Sequence, residues 1–181
     1  MLINKYIPRT LKEIKGQEKP LEELKKYVLN KKPVLIYGKV GVGKTSSVHA
    51  LANELGYEIL EINASDLRNK EQIQNVVVNN IKQKSLFGKE KIVLIDEVDG
   101  INARDRGGLT EIIKELPGSS YSIVLIANDP FNSKFSALRK KCRLIEFASL
   151  DALTIILILK DIIKKENIRL DDNFLKQIAI K

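Results

Sequence analysis

The sequence predicts an α/β fold of three layers, a parallel sheet with helices on both faces. Short, nearly continuous apolar runs recur along the chain, as strands buried on both sides require. Longer helical patterns separate them. A glycine-rich turn leads from the first apolar run directly into a helix.

Taken in order, Pro33–Tyr37 (PVLIY) reads as the first buried strand, and the helix after the glycine-rich turn spans about Lys44 to Leu55. Tyr57–Ile62 is the second strand, Asn69–Gln83 a helix and Lys91–Ile95 (KIVLI) the third strand. Gly107–Leu116 is a helix stopped by Pro117-Gly118, where a missing N–H and a flexible backbone end the ladder. Tyr121–Ala127 (YSIVLIA) is the fourth strand and Arg143–Phe147 a short fifth. From Ser149 the pattern is helical only: Leu150–Glu166 has helical length, and Asp171 or Asp172 caps a further helix. The expected organisation is therefore a core over residues 1–148, followed by the opening of a small helical domain over 149–181.

Composition narrows the function classes. The chain has 181 residues, 31 Lys+Arg against 23 Asp+Glu, and a net charge of +8. A hydrophobic share of 44% excludes a disordered or low-complexity chain. One cysteine, Cys142, and one histidine, His49, exclude an internal disulfide framework and argue against a Cys/His zinc site, so both are read as structural. The opening MLINKYIPRT lacks the apolar core of a signal peptide. The longest apolar stretch, near Ala152–Leu159, meets Lys160 far short of the roughly 20 residues a bilayer helix needs. The expectation is a protein of reducing, cytoplasmic surroundings with no membrane partner. The positive balance is compatible with an anionic partner.

The chemistry is concentrated at three strand ends. Gly38-Lys39-Val40-Gly41-Val42-Gly43-Lys44-Thr45 fits G-x-x-x-x-G-K-[ST], the phosphate-binding loop, in its required context between a strand and a helix. The glycines let the backbone curl so that N–H groups point at phosphates, and the helix N-terminus favours an anion. Lys44 would place a cation on the terminal phosphate, and the Thr45 hydroxyl would ligate Mg²⁺, with Ser46 completing the loop's contacts. Ile92-Val93-Leu94-Ile95-Asp96-Glu97 is an apolar strand ending in paired carboxylates, a Walker B pattern. There Asp96 would hold Mg²⁺, mainly through water, and Glu97 would orient and polarise an attacking water. Asn128 closes the fourth strand in LIANDP; parallel strands present ligand groups at their carboxyl ends, so it is placed to bond a γ-phosphate or the water.

This set resembles the AAA+ ATPases and, within them, the large-subunit branch of the replication factor C clamp loaders, archaeal type. The marks are KYIPRTLKEIKGQE near the start, EINASDLRNKEQI at 61–73, SLFG at 85–88, DEVDGINARDRGG at 96–108 and LRKKCRLIEF at 138–147. The resemblance implies strand order 5-1-4-3-2, a helical lid after the core, and ATP with Mg²⁺ as cofactor. It also implies assembly with small subunits that together open the PCNA sliding clamp and close it on primer–template DNA, in a cytoplasmic, nucleoid-associated setting. By the same resemblance, Tyr6, Pro8 and Arg9 lie on the adenine side, and Ser85, Leu86 and Phe87 dock on the clamp. Arg68, Lys70, Lys82, Arg104 and Arg106 face DNA phosphates, contacts that are sequence-independent and salt-sensitive.

The sequence departs from the family pattern at several positions. Lys39-Val40 replaces the usual Pro-Pro, Ile7 stands where Arg is common, and Lys141 sits where small subunits carry an arginine finger. A lysine lacks the planar fork of arginine, so this chain is expected to receive a finger and not to supply one. The lid's sensor-2 arginine and the collar are expected beyond Lys181. Two other functions fit the same core. One is an AAA+ DNA motor of Holliday-junction helicase type, in which every subunit supplies a finger; Lys141 argues against it. The other is a scaffold that binds clamp and partners without hydrolysis; Glu97 and Asn128 argue against that.

Overall fold

The computed structural model describes residues 5–66, 78, 89–101, 106–168 and 170–180. Five parallel strands form one sheet: β1 (Val34–Tyr37), β2 (Glu58–Asn63), β3 (Lys91–Asp96), β4 (Ser122–Ala127) and β5 (Arg143–Glu146). Their order is β2-β3-β4-β1-β5, the expected 5-1-4-3-2 read from the other edge. Val34 pairs in register with Val124 on one side and Arg143 on the other, so β1 lies inside the sheet and its carboxyl end is flanked by the ends of β4 and β5.

Alternation along each strand divides the core into two layers. Val34, Ile36, Ile92, Leu94, Val124 and Ile126 pack on one face with Leu24, Val48 and Leu51 of the flanking helices. Leu35, Val93, Ile95, Ile123 and Leu125 pack on the other with Ile112, Phe135 and Leu138. The central strands are apolar on both faces because both faces are covered, which is why they read as unbroken runs.

The helices among the described residues are α1 (Glu18–Leu29), α2 (Lys44–Leu55), α3 (Arg106–Glu115), α4 (Ser136–Lys141), α5 (Ala152–Glu166) and α6 (Asp172–Ile180). Boundaries differ from the sequence expectation by one or two residues: β2 begins and ends one residue later, and β5 stops at Glu146, before Phe147. α3 runs Arg106–Glu115 and tightens into a 3₁₀ turn over Leu116–Gly118 at the predicted Pro-Gly stop. The helix expected over Asn69–Gln83 lies outside the described residues. Two helices were not foreseen, α1 and the short α4. α1 buries Leu21, Leu24 and Val28 on one stripe.

α5 starts at Ala152, two residues inside the predicted start, and is capped by Asp151, whose side chain accepts from the Thr154 N–H at 2.7 Å. Asp171 stands just before α6, and its carbonyl accepts from the Leu175 N–H. α5 buries no residue completely, and Leu153 and Leu157 are exposed, so this helix is more weakly covered than those of the core. It is tied back to the N-terminal segment by an ion pair between Lys5 and Glu166 and by a hydrogen bond from the Tyr6 hydroxyl to the same carboxylate. Among the described residues, no helix is long and apolar enough to cross a membrane.

Candidate nucleotide site

The loop between β1 and α2 is shaped by glycine. Gly38 has φ +145°, and a β-carbon there would lie 2.2 Å from the Phe147 carbonyl oxygen, so only glycine lets β1 turn this close to the end of β5. Gly43 adopts φ +94° directly before α2, a left-handed backbone that an L side chain rarely takes. The loop thus ends with the first N–H groups of α2 unpaired by the helix and open to an anion.

Lys44, the first residue of α2, is only 8% exposed. Its Nζ donates to the carbonyls of Gly38 (2.7 Å) and Lys39 (2.9 Å) and to Asn128 Oδ1 (3.1 Å). Burial pushes its pKa below the usual lysine value, and the nearby carboxylates of Asp96 and Asp99 oppose that shift. The ammonium is therefore a partly desolvated cation held by neutral acceptors, a state that gains when a polyphosphate arrives. Beside it, the Thr45 hydroxyl donates to Asp96 Oδ2 at 2.7 Å.

The carboxyl end of β3 supplies the acids. Asp96 is its last residue and accepts the Glu97 N–H on Oδ1 at 2.7 Å. Glu97 stands at φ +53°, ψ +42°, the left-handed region, and this turn lifts it out of the strand line and leaves it exposed. Non-glycine residues in such conformations carry strain and cluster at functional sites. A 3₁₀ turn over Val98–Gly100 follows and returns Asp99 to the cleft. Asp99 Oδ2 accepts from both the backbone N–H and the side-chain Nδ2 of Asn128, each at 3.1 Å.

These groups line one open cleft of about 270 Å³, bounded by Gly41, Gly43, Lys44, Thr45, Asp96, Glu97, Asp99 and Asn128. Val40 and Ser46 lie on the same cleft. Gly38, Lys39 and Val42 sit behind it: the first two hand their carbonyls to Lys44, and Val42 is buried in the core layer under α2. The hydroxyl of Thr45 and the carboxylate of Asp96 form a hard-oxygen pair at the cleft edge. That set suits Mg²⁺, which takes one or two protein oxygens and completes its shell with water and phosphate. Among the described residues no cluster of three or more His, Cys, Asp or Glu that could hold a metal is found.

A second cavity, of about 1100 Å³, lies between the N-terminal segment and α5; Tyr6, Pro8, Gly16, Thr154, Ile158 and Lys165 are on its wall. Arg9 is not among its lining residues. The backbone of Arg9 instead donates to Glu13 and accepts from Asn53. Arg68, Lys70, Lys82 and Arg104, with Ser85, Leu86 and Phe87, lie outside the described residues, and Arg106 begins α3. Cys142 is buried beneath the sheet edge, where desolvation pushes its thiol pKa up to about 12, and His49 Nε2 lies 2.7 Å from Glu61 Oε2; neither touches the cleft. Asp99 is the cleft residue that the motif reading passed over. Its signal was its place three residues after Asp96, where a single tight turn brings it back to the strand end.

Residues 34–150 match the family described as ATPase family associated with various cellular activities (AAA), from the first residue of β1 to the approach to α5. The chain belongs to the AAA ATPase family. It is also similar to proteins named replication factor C large subunit. One from Nanoarchaeum equitans is 43% identical over 187 residues, covering 99% of this chain and 44% of that protein. One from Methanococcus aeolicus is 40% identical, covering 98% of this chain and 39% of that protein. One from Thermofilum pendens is 40% identical, covering 97% of this chain and 45% of that protein. The chain therefore spans less than half the length of the curated relatives it matches. The AAA assignment accounts for both the strand order and the convergence of the β1, β3 and β4 ends on one cleft.

Proposed function

We propose that this chain is the nucleotide-binding portion of a replication clamp-loader large subunit, which binds ATP with Mg²⁺ in the β1–β3–β4 cleft and hydrolyses it to ADP and phosphate. The observation that carries the reading is the meeting of Lys44, Thr45, Asp96, Glu97 and Asn128, from three separate strand ends, around one cleft.

In this reading the loop amides and Lys44 neutralise phosphate charge, while Thr45 and Asp96 would hold the Mg²⁺. Mg²⁺, when bound, supplies charge neutralisation and orientation of the phosphates. Glu97 orients a water and accepts its proton as the water oxygen attacks phosphorus, and the ADP oxygen leaves on the opposite side. Asn128 bonds the terminal phosphate or the water. The work is positioning and electrostatics, with no covalent intermediate on the protein. The cavity beside Tyr6, Pro8 and Gly16 is proposed to take the adenosine end. Arg9, next to Pro8 in the chain, is proposed to lie on the same side of the nucleotide.

The partners proposed here are those that the resemblance to clamp loaders implies. A small subunit would supply an arginine finger to this chain's site, and this chain, with Lys141 at its own finger position, would supply none. The PCNA clamp would meet Ser85, Leu86 and Phe87, and primer–template DNA the basic residues Arg68, Lys70, Lys82, Arg104 and Arg106. Residues 1–148 would be the ATPase core and 149–181 the first part of its lid. The deciding experiment pairs nucleotide binding with turnover. Lys44→Ala should lose ATP binding at least 10-fold with its circular dichroism unchanged. Glu97→Gln should keep binding and lose turnover in the assembled loader, because the carboxamide keeps the size and loses the base. Parental ATP hydrolysis by Lys44→Ala, or equal loss of binding and turnover in Glu97→Gln, would refute the reading.

A further inference from the structure

Asn128 is held from two sides. Its Oδ1 accepts from Lys44, and its Nδ2 and backbone N–H both donate to Asp99 Oδ2. A carboxylate only accepts and an ammonium only donates, so these two partners fix which edge of the amide faces which neighbour. With Asp99 in place the amide nitrogen cannot turn toward Lys44. One Nδ2 hydrogen bonds Asp99; among the described residues no other partner of Nδ2 is found, and Asn128 lines the cleft. Without Asp99 the amide loses the acceptor that sets its orientation, and the Asn128 backbone N–H loses its partner at the end of β4.

We infer that Asp99 is a positioning residue for the third phosphate: it orients the Asn128 amide so that the site distinguishes a nucleoside triphosphate from a diphosphate. Asp99 acts through Asn128 and touches no reacting atom. The inference rests on the proposed nucleotide reading of the cleft. Three observations support it independently of any sequence motif. Asp99 lines the cleft itself. Its Oδ2 takes two hydrogen bonds from a single residue, a charge-assisted pairing of the stronger kind. The turn that presents it packs closely on Ser65 at Gly100, where a β-carbon would lie 2.7 Å from Ser65 Cβ.

The test is equilibrium binding of ADP and of a β,γ-imido ATP analogue to the 181-residue chain, with Mg²⁺ in excess, for the wild type, Asp99→Ala, Asp99→Asn, Asn128→Ala and the Asp99→Ala/Asn128→Ala double variant. The expected result is a preference for the triphosphate over ADP in the wild type that falls at least 10-fold in Asp99→Ala. The near-isosteric Asp99→Asn, which keeps one acceptor oxygen, should fall between. In the Asn128→Ala background, Asp99→Ala should change the preference by less than about 2-fold, because residues acting through one contact are not additive. Thermal melts verify folding, and Asp99→Asn carries the test if Asp99→Ala is unfolded. Equal weakening of both nucleotides, or independent losses that multiply in the double variant, would overturn the inference and leave the nucleotide site standing. So would equal wild-type affinity for the two nucleotides. A wild-type chain that binds neither would overturn both.

Discussion

The Thr45 hydroxyl donates to Asp96 Oδ2 over 2.7 Å, joining the first turn of α2 to the end of β3 across 51 residues of sequence. Both oxygens face the cleft, and neither element brings the pair together alone. Removing the negative charge without changing shape should expose their shared role. Asp96→Asn keeps an acceptor for Thr45 but loses the charge a cation needs. It should lower Mg²⁺-dependent ATP affinity at least 10-fold, about 1.4 kcal/mol, and change metal-free binding little. Chelation with EDTA should bring the wild type down to the variant's level. A variant that responds to Mg²⁺ as the wild type does would remove Asp96 from the metal site.

Glu97 occupies a left-handed backbone at φ +53°. For a residue with a β-carbon that costs roughly 1–2 kcal/mol, and glycine avoids it. Glu97→Gly should therefore melt above Glu97→Ala by about 2–8 °C, at about 2–4 °C per kcal/mol in a domain of this size. Both variants lack the carboxylate, and both should lose turnover in the assembled loader. Equal melting temperatures would mean that the strained backbone relaxes once the side chain is gone, so differential scanning calorimetry on the two variants decides the point.

The glycines of the loop separate two kinds of constraint. Alanine at Gly38 meets the Phe147 carbonyl oxygen at 2.2 Å, whereas alanine at Gly41, φ +83°, meets nothing within 4 Å. Gly41→Ala should cost about 1 kcal/mol, from backbone conformation alone. Gly38→Ala should cost about 2 kcal/mol or more, because β5 must move away from β1. Urea unfolding of the two variants should rank them in that order, and the reverse order would contradict the packing of β1 against β5.

The strands were legible because their burial is two-sided: Val34-Leu35-Ile36 and Ile92-Val93-Leu94-Ile95 alternate between the two core layers, yet every position is apolar. The phosphate loop was legible because its spacing is chemical, with glycine needed for backbone approach and Lys-Thr for phosphate and metal. α1 was not read, although Leu21, Leu24 and Val28 have helical spacing, because Pro20 and a dense run of Lys and Glu mask a stripe only three residues long. α4 is too short for any period to show. Asp99 was missed for a different reason. An acid after a strand reads as an ordinary turn former, and its role depends on a left-handed Glu97 and a 3₁₀ turn that spacing does not reveal. Lys44, by contrast, is assigned to phosphate by the loop spacing alone, but its burial and its bond to Asn128 required coordinates.

The last prediction concerns Cys142, the single thiol, which is 9% exposed and packs with Phe135 and Leu138 under the sheet. Burial raises its pKa from 9.0 to about 12, since a thiolate there would lose its hydration with no compensating partner. The thiolate is the reactive form, so native Cys142 should resist iodoacetamide at pH 8, while the urea-unfolded chain should react at an ordinary thiol rate. The same shift sets a stability window. Below about pH 9 both states hold the proton and the thiol adds no pH dependence. Between pH 9 and 12 the unfolded chain releases it and the folded chain does not, so the unfolded state binds fewer protons and stability falls as pH rises, by up to about 1.4 kcal/mol per unit. Cys142→Ala removes this term: measured by urea unfolding at pH 8 and pH 10.5, the variant should be the less stable protein at pH 8, for loss of packing, and should lose less stability than the wild type on going to pH 10.5. Other groups titrate in that range, so the comparison is the difference between the two proteins at each pH. Rapid labelling of the native thiol at pH 8, or parallel losses of stability in the two proteins, would place Cys142 in contact with solvent and contradict the packing of α4 against the sheet.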